Sequence, residues 1–572
     1  MTRRWRILLL WASCVGAVVV GTTNTISAAP ATTVASVVPA TYGTPSTTPN
    51  AEFTDVACTS PGNCVAVGDA TASDGTQLAI VQSQRTGVWS AVQPATFAAG
   101  IENTNPNEGF AAVSCAAADS CVAVGWFLDA AGNQEAMTMT DVGGVWGTAR
   151  PATFGAGVAN AAPDALFTSV SCAAVGACTA AGQFYDIAGG VEAMTASAVG
   201  GVWSAVTPAV VASSEQPRVA NDGFAAIDCA TPGNCTAVGW FRDSDGHQQA
   251  MTESDTAGHW STAIPARIPP GVEDTPNDEF TSVSCPTALN CTAAGWFLYA
   301  GGHQRSFIAA ESNGKWATGI PSYIPAGLSA SGLFQGFTSI SCPSVGNCAT
   351  VGWLKLASGG IGAVMWMENA GRWQSLTTAT FDGTVHGPVP NDGFTAVSCA
   401  TPGNCTAAGY FVDANGNREA MTASATGGIW STSVPATVPA DAGNVNPYDG
   451  FTSVDCVSPG NCEAAGLFVD ATGTNEAMTQ RSTTPLAPPV TTATTVSVSQ
   501  RLRVAVPRTG SAGVRWRLRA GSLPRGVSLG TSTGVISGVP SRAGTYHATL
   551  EEIDGDEETT VLLTVKVTPK HR

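Results

Sequence analysis

The chain has 572 residues, only 12% of them charged, and its formal net charge at neutral pH is −17. Residues 30–489 hold 11 Lys or Arg against 36 Asp or Glu, whereas residues 490–572 hold 11 against 6. An acidic body argues against nucleic acid and anionic membranes as partners, because both would repel it. Glycine, alanine, threonine, serine and valine dominate, and this composition predicts strands and turns rather than helices.

Residues 1–29 are predicted to be a signal peptide. Arg3, Arg4 and Arg6 form a basic start, and the apolar run over 7–20 is shorter than a membrane-spanning helix requires. Small residues around Ala29 offer a cleavage site. An uncleaved anchor is the alternative. We therefore expect an exported protein, secreted or associated with the cell surface, with no stable membrane span once the signal is removed.

Eight cysteine pairs mark the rest of the chain. Two cysteines in each pair enclose five residues, and the first members recur every 56 or 57 residues, a fixed period typical of a repeat architecture. In an exported chain each pair is predicted to form a disulfide within its own repeat, because the enclosed residues are turn formers. Zinc is disfavoured, since tetrahedral sites use closer cysteines and usually histidine. The predicted disulfide cysteines are Cys58, Cys64, Cys115, Cys121, Cys172, Cys178, Cys229, Cys235, Cys285, Cys291, Cys342, Cys348, Cys399, Cys405, Cys456 and Cys462.

Each repeat is predicted to hold four antiparallel strands. "FTSVSC" at 280–285 alternates as a strand should. In the second repeat "CVAVGWFLD" at 121–129 forms the second strand and "QEAMTMT" at 134–140 the third. A turn then leads to a fourth strand around Trp146. Four short strands in a unit of this length are typical of a β-propeller blade. The predicted fold class is all-β, with an eight-bladed β-propeller over 30–482 and a C-terminal Ig-like β-sandwich.

The eighth repeat lacks its fourth strand. It stops at "NEAMTQRS" (475–482), while "TVASVVPAT" at 33–41 resembles the fourth-strand segment "GIWSTSVPAT" at 428–437. The N-terminal segment is therefore predicted to supply the missing strand and close the ring. An open array of repeats would need capping units instead.

Two stretches resemble known modules. The turn before the fourth-strand tryptophan, as in "TDVGGVW" at 140–146, resembles the Asp-box turn of sialidase-like (BNR) propellers, although most copies lack the aspartate. "SLPRGVSLGTSTGVISGVPSRAGTYHATLEEID" at 522–554 resembles the Ig-like, dystroglycan-type cadherin-like modules of bacterial surface proteins. That resemblance implies a spacer or adhesive domain over 496–568, after a Pro- and Thr-rich linker at 483–495. Some cadherin-like relatives bind calcium.

Aromatic residues are the candidate ligand-binding groups. They follow the glycine of the second strand in five repeats, and a partial ring of them would stack on sugar faces, with packing between blades as the competing explanation. They are Trp126, Trp240, Trp296, Trp353 and Tyr410.

No catalytic residue is predicted, because the arginines are scattered over different repeat positions and do not assemble a sialidase-like triad. No cofactor is expected to be required. "DANGNRE" at 413–419 resembles a calcium loop, but a hairpin turn explains every copy, whereas calcium explains only a few.

The sequence favours an exported, monomeric, non-catalytic binding or adhesion protein that recognises a carbohydrate or protein ligand outside the cell. An extracellular carbohydrate-active hydrolase or lyase of the sialidase-like propeller type is the first alternative. A structural component of the cell wall is the second.

Overall fold

The structure, a computed structural model, describes residues 33–569 apart from 35, 43–49, 73, 213–219, 270–272, 300, 326–327, 329–333, 382–385, 388, 440–442, 444–446, 484–489, 506–514 and 555–556. The predicted signal peptide lies outside these residues. All regular structure in the described part of the chain is β-strand, so the all-β prediction is confirmed. None of the described residues forms a helix long and apolar enough to cross a membrane.

Three long strands form the body of each repeat, in the order first, second, third, and neighbours are antiparallel. The first strands are Asn50–Ser60, Glu108–Ala117, Leu166–Ala174, Asp222–Thr231, Glu273–Thr287, Gln335–Ser344, Gly393–Thr401 and Gly450–Ser458. The second strands are Asn63–Thr71, Ser120–Leu128, Ala177–Tyr185, Asn234–Arg242, Asn290–Tyr299, Asn347–Lys355, Asn404–Val412 and Asn461–Val469. The third strands are Gln77–Arg85, Gln134–Val142, Val191–Val199, Gln248–Thr256, His303–Ser312, Ile361–Asn369, Arg418–Thr426 and Asn475–Thr483.

Two short strands replace a continuous fourth strand in repeats one to seven, and both pair with the third strand. The pieces nearer the preceding turn are Val88–Trp89, Val145–Trp146, Val202–Trp203, His259–Trp260, Lys315–Trp316, Arg372–Trp373 and Ile429–Trp430. The second pieces are Gln93–Pro94, Arg150–Pro151, Thr207–Pro208, Ile264–Pro265, Ile320–Pro321, Thr377–Thr378 and Val434–Pro435.

The N-terminal segment supplies these two pieces to repeat eight. Thr33–Val34 and Val38–Pro39 both pair antiparallel with the third strand Asn475–Thr483. Val38 faces Thr479 and Pro39 faces Met478 in this pairing. The same register joins Val434–Pro435 to Thr422 and Met421 in repeat seven. This is the strand pairing that the resemblance of 33–41 to 428–437 predicts.

The hydrophobic core lies between successive sheets rather than inside any one of them. A fully buried phenylalanine near the start of each first strand packs against the sheet of the preceding repeat, as Phe110 packs with Val67 and Val81 of repeat one. The first repeat has a neighbour of the same kind, because Phe53 shares a cluster with Ala465 and Ala477 of repeat eight. One repeat alone could not bury its apolar faces.

The first strands pack side by side in a closed circuit. Each contacts the first strand of the next repeat, and that of repeat eight contacts that of repeat one. At seven of the eight junctions a serine or aspartate oxygen accepts the amide hydrogen of the next repeat's first cysteine. The last junction follows this rule, since Asp455 Oδ2 accepts from Cys58 N at 2.8 Å. Thr452 Oγ1 also donates to Phe53 O at 2.6 Å, as Thr54 Oγ1 does to Phe110 O.

All eight predicted disulfides are present, each within its own repeat. Each bond joins the end of the first strand to the start of the second. In most repeats the two cysteines are direct partners across the strands, as Cys115 and Cys121 are. This arrangement closes a short loop and restricts the unfolded chain. So many bonds indicate an oxidising compartment.

Replacing one pair, Cys115→Ala with Cys121→Ala, is expected to lower the free energy of unfolding by about 2 kcal/mol, because the short loop is no longer closed in the unfolded chain. Calorimetric melting of the oxidised variant beside the parent measures the loss. The same double change in repeat seven, at Cys399 and Cys405, should cost a similar amount. Melting curves that coincide with that of the parent would contradict this account of the disulfides.

The C-terminal region forms two sheets that are not hydrogen-bonded to those of the repeats in the described part of the chain. One contains four strands, Val490–Ser497, Arg515–Gly521, Gly544–Asp554 and Glu557–Thr568. The other contains Leu502–Ala505, Val527–Leu529 and Val535–Gly538. The first of these strands begins inside the predicted linker, because Val490–Ser497 pairs parallel with Glu557–Thr568.

Candidate functional site

The two ends of each sheet differ in chemistry. The disulfide lies at one end, where the first strand passes into the second. At the other end, called here the turn end, the second strand passes into the third through turns such as 129–133 and 413–417. Equivalent residues of the eight repeats lie at the same end of their sheets, because the strand register repeats. The five predicted aromatic residues all lie near the turn end.

The turn that resembles a calcium loop is closed by its own aspartate. Asp413 Oδ1 accepts hydrogen bonds from the amides of Asn415 and Asn417, both at 2.8 Å, and the two asparagine side chains donate to Oδ2. Burial raises the pKa of Asp413, but these hydrogen bonds prevail and hold the pKa below its ordinary value. Calcium binding stays a prediction. No group of three or more potential metal ligands occurs among the described residues.

The aromatic residues lie opposite the first strand of their own repeat. Trp126, Trp353 and Tyr410 each face a glycine, and a Cβ on Gly109 would lie 3.5 Å from Trp126 Nε1. Trp240 faces a glycine in the same way. Trp296 instead faces a glutamate and donates its Nε1–H to that carboxylate at 2.9 Å. All five are half-buried, so part of each ring packs and part faces solvent.

The cleft between repeats seven and eight holds an arginine between two tyrosine rings. Arg418 begins the third strand of repeat seven, and its Cζ lies 3.8 Å from the ring centroid of Tyr410 and 4.5 Å from that of Tyr448. Tyr448 precedes the first strand of repeat eight and forms a β-bridge with Arg418. Guanidinium groups stack on aromatic faces in this way. The cavity has a volume of about 490 Å³.

Apart from the two tyrosine rings, the guanidinium group has no hydrogen-bond or ion-pair partner among the described residues. No carboxylate there forms an ion pair with Arg418, and its buried Nε atom has no hydrogen-bond acceptor. Asp449 is close enough for the charge of Arg418 to lower its pKa, but burial outweighs this and raises the pKa of Asp449 to about 6. The carboxylate of Asp449 accepts the amide hydrogen of Val469 at 2.9 Å. Asp449 thus serves the interior of the repeat rather than the cleft.

Equivalent clefts lack this arrangement. The other seven repeats carry an uncharged residue at the position of Arg418, namely Gln77, Gln134, Val191, Gln248, Gln304, Ile361 and Asn475. In the cleft between repeats four and five, Gln248 Nε2 donates to Glu279 Oε2 at 3.0 Å. Repeat eight has Gly450 at the position of Glu279, so the intramolecular acceptor is missing where the cation is present. A Cβ on Gly450 would lie 2.9 Å from Arg418 Nη2.

Histidine and lysine depart from the repeat pattern elsewhere at the turn end. His386 Nε2 lies 2.7 Å from Asp392 Oδ2, and its ring stacks on Phe381. Lys355 Nζ lies 6.0 Å from the ring centroid of Phe334, which is 42% exposed. Among the described residues these contacts link His386 to Asp392 and Phe381, and Lys355 to Phe334, without joining the two groups into one cluster.

Carboxylates two residues before the core phenylalanine are buried in five repeats. Each accepts a backbone amide hydrogen, as Glu108 does from Ala79 and Asp222 from Ala193 of the preceding repeat. Burial raises the pKa of Glu108 to about 8, with the charge of Glu102 adding to the rise and the Ala79 amide opposing it. Burial likewise raises the pKa of Asp222 to about 7. The five are Glu108, Asp222, Asp278, Asp392 and Asp449.

The repeat region is expected to lose stability as pH rises from about 5 to about 8. The folded protein retains protons on Glu108, Asp222, Asp392 and Asp449 that the unfolded chain, with an ordinary carboxyl pKa of about 4, has already released. Glu108→Gln should therefore raise the melting temperature at pH 8 more than at pH 5. Glutamine is tolerated at this position, because Gln335 occupies it in repeat six. A variant with the same pH dependence of melting as the parent would contradict the raised pKa.

Comparison with known proteins identifies only the C-terminal part of the chain. Residues 472–568 match the family described as "Putative Ig domain", so an Ig-like domain is present. No protein with a curated description matches the chain in sequence.

Solved structures with detectable similarity are distant. An alpha-galactosidase described as "putative", from Bacteroides fragilis, is 25% identical with a TM-score of 0.12, and the alignment covers 14% of this chain and only 16% of that one. A Dyadobacter fermentans protein of unknown function is 11% identical, with 79% and 99% coverage and a TM-score of 0.32. Hadza microbial sialidase Hz136 is 11% identical, with 73% coverage of each chain and a TM-score of 0.29. No conclusion about activity follows from similarities this low.

Proposed function

We propose that residues 33–483 form an eight-bladed β-propeller and that the exported protein binds an extracellular ligand at the turn end, without catalysis. The circuit of first strands, closed by Asp455 and Thr452 on repeat one, supports the ring. The eight disulfides and the Ig-like domain support a location outside the cell. The Ig-like domain then acts as a spacer or an adhesive module.

The observation that carries the binding proposal is that half-buried aromatic rings, a cavity and an arginine without a hydrogen-bond acceptor or ion-pair partner among the described residues lie at one end of the sheets. Aromatic side chains and arginine are the residue types that dominate binding hot spots. The buried carboxylates are engaged with backbone amides, which supports a structural rather than a catalytic use for them. A carbohydrate or a protein ligand is compatible with this surface, and the cleft at Arg418 is the first place to look.

Glycan and protein arrays probed with the purified, oxidised mature chain test this proposal. We expect at least one reproducible ligand whose binding weakens when the turn-end aromatic residues Trp240 and Trp353 are replaced by alanine. Melting curves of the variants exclude unfolding as the cause. Blank arrays would favour a structural cell-wall component. Turnover of an array glycan, abolished by one point substitution, would favour a carbohydrate-active enzyme.

A further inference from the structure

Arg418, in the cleft between repeats seven and eight, has no hydrogen-bond acceptor or ion-pair partner among the described residues, and this points to one class of ligand. We infer that this cleft binds the carboxylate of an acidic sugar and that Arg418 is the recognition residue. The inference rests on the proposed binding function and names the ligand class for one site.

A carboxylate fits the chemistry of Arg418. The guanidinium group is a rigid fork of N–H donors that pairs with a carboxylate through two parallel hydrogen bonds. Tyr410 and Tyr448 both lie against the guanidinium group, so a carboxylate would approach its N–H donors in the plane of the group rather than over its face. Both rings also fix the fork before a ligand arrives, which reduces the entropy lost on binding.

The departure of two positions from the repeat pattern makes the site specific to this cleft. Arg418 replaces an uncharged residue, and Tyr448 stands where five other repeats have asparagine. Repeat eight shares with most repeats a glycine, Gly450, at the position of Glu279, so it offers no acceptor like the one that Gln248 finds in Glu279. An external carboxylate would take the place of the missing internal one.

The surroundings favour a sugar over an acidic peptide. A cavity of about 490 Å³ is in the size range of small-molecule sites. The amides of Asn391 and Asn417 line it and can both donate to and accept from hydroxyl groups. Residues 30–489 carry a large excess of acidic groups, which repels a ligand with many negative charges at long range. A sugar whose single charge is one carboxylate experiences much less of this repulsion, because salt screens it beyond the immediate site.

Titration calorimetry of the full mature chain with D-glucuronate tests the inference, and D-glucose serves as the neutral counterpart. We expect millimolar binding of glucuronate that is about tenfold tighter than that of glucose and that weakens as salt is added. Arg418→Gln should abolish the difference between the two sugars. Glutamine is the residue of four other repeats at this position, so the variant is expected to fold. Arg418→Lys should retain part of the preference for glucuronate over glucose, because lysine keeps the positive charge but lacks the two parallel N–H donors of the guanidinium group.

Arg242→Gln is the matched control, since Arg242 ends the second strand of repeat four and its Nη1 contacts Gly246 O. It should leave both affinities unchanged. Equal binding of the two sugars, no binding of glucuronate at millimolar concentration, or an unchanged preference in Arg418→Gln would overturn the inference. Binding of an acidic peptide that depends on Arg418, without glucuronate binding, would also overturn it. An array ligand insensitive to Arg418→Gln would leave the proposed function standing while removing this site from it.

Discussion

Deletion of residues 30–45 is expected to destabilise the repeat region far more than loss of a chain terminus usually does. Val37 is 3% exposed and packs with Phe451 and Met478, while Ala40 packs with Phe53 of repeat one. The segment also donates backbone hydrogen bonds from Val37 N to Thr437 O and from Ala40 N to Ala477 O. Loss of this burial and pairing should lower the free energy of unfolding by on the order of 4 kcal/mol.

Calorimetric melting of the deletion variant measures this effect, and aggregation should increase because the third strand of repeat eight becomes an open edge. Deletion of residues 490–572 is the matched control. That deletion removes the two C-terminal sheets, which are not hydrogen-bonded to those of the repeats in the described part of the chain. The melting temperature of the repeats should therefore hardly change. If the variant without residues 30–45 has the same melting temperature as the parent, the N-terminal segment does not close the ring.

Replacement of Gly125 by alanine should be the most damaging single substitution in the second repeat. A Cβ at this position would lie 2.0 Å from the carbonyl oxygen of Gly109, and backbone cannot move aside as a flexible side chain can. All eight repeats have glycine here, and in each the distance is 2.0 or 2.1 Å. The clash should cost about 3 kcal/mol or more and lower the melting temperature accordingly.

Gly109→Ala provides the comparison, because Gly109 is the cross-strand partner of Trp126 next to Gly125. The nearest atom to a Cβ there would be Trp126 Nε1 at 3.5 Å, and Asp69 Cβ would follow at 3.7 Å, both ordinary van der Waals contacts. We expect a small change, within about 1 kcal/mol. Equal melting temperatures for the two variants would contradict the close approach of the first and second strands.

Most of the repeat architecture could be predicted from the sequence because its signals are local and periodic. The spacing of the cysteines predicts all eight disulfides, and the turn residues between strands give the strand order. The pairing of the N-terminal segment with the third strand of repeat eight could also be predicted, since residues 33–41 repeat the side-chain pattern of 428–437. The linker was predicted too long. Its threonines and valines are strand formers, and pairing with Glu557–Thr568 recruits them into a sheet.

The candidate site was predicted only in part. Trp126, Trp240, Trp296, Trp353 and Tyr410 do share one end of the sheets, as the alignment of the repeats implies. The arginine cleft was missed because its residues come from two repeats, and sequence spacing does not show which side chains meet across a packed interface. A signal was present nonetheless. Arg418 and Tyr448 each depart from the residues that the other repeats carry at those positions.

Sequence reasoning also missed the polar links between first strands. The serines and aspartates four residues after the core phenylalanine look like ordinary solvent-facing strand residues. Only the packing of neighbouring repeats places Ser341 Oγ 3.0 Å from the amide of Cys399, and Asp455 Oδ2 2.8 Å from that of Cys58. These bonds join seven of the eight pairs of neighbouring repeats, and they include the junction between the last repeat and the first.

Amide hydrogen exchange of the intact mature chain tests the closed ring most directly. The peptide over 54–60 of repeat one is compared with its internal equivalent over 395–401 of repeat seven. In a closed ring both first strands have neighbours on each side, so their amides should be protected to within about tenfold of each other. Exchange of the 54–60 amides at the rate of a fraying terminal unit, with 395–401 still protected, would contradict the closure of the ring.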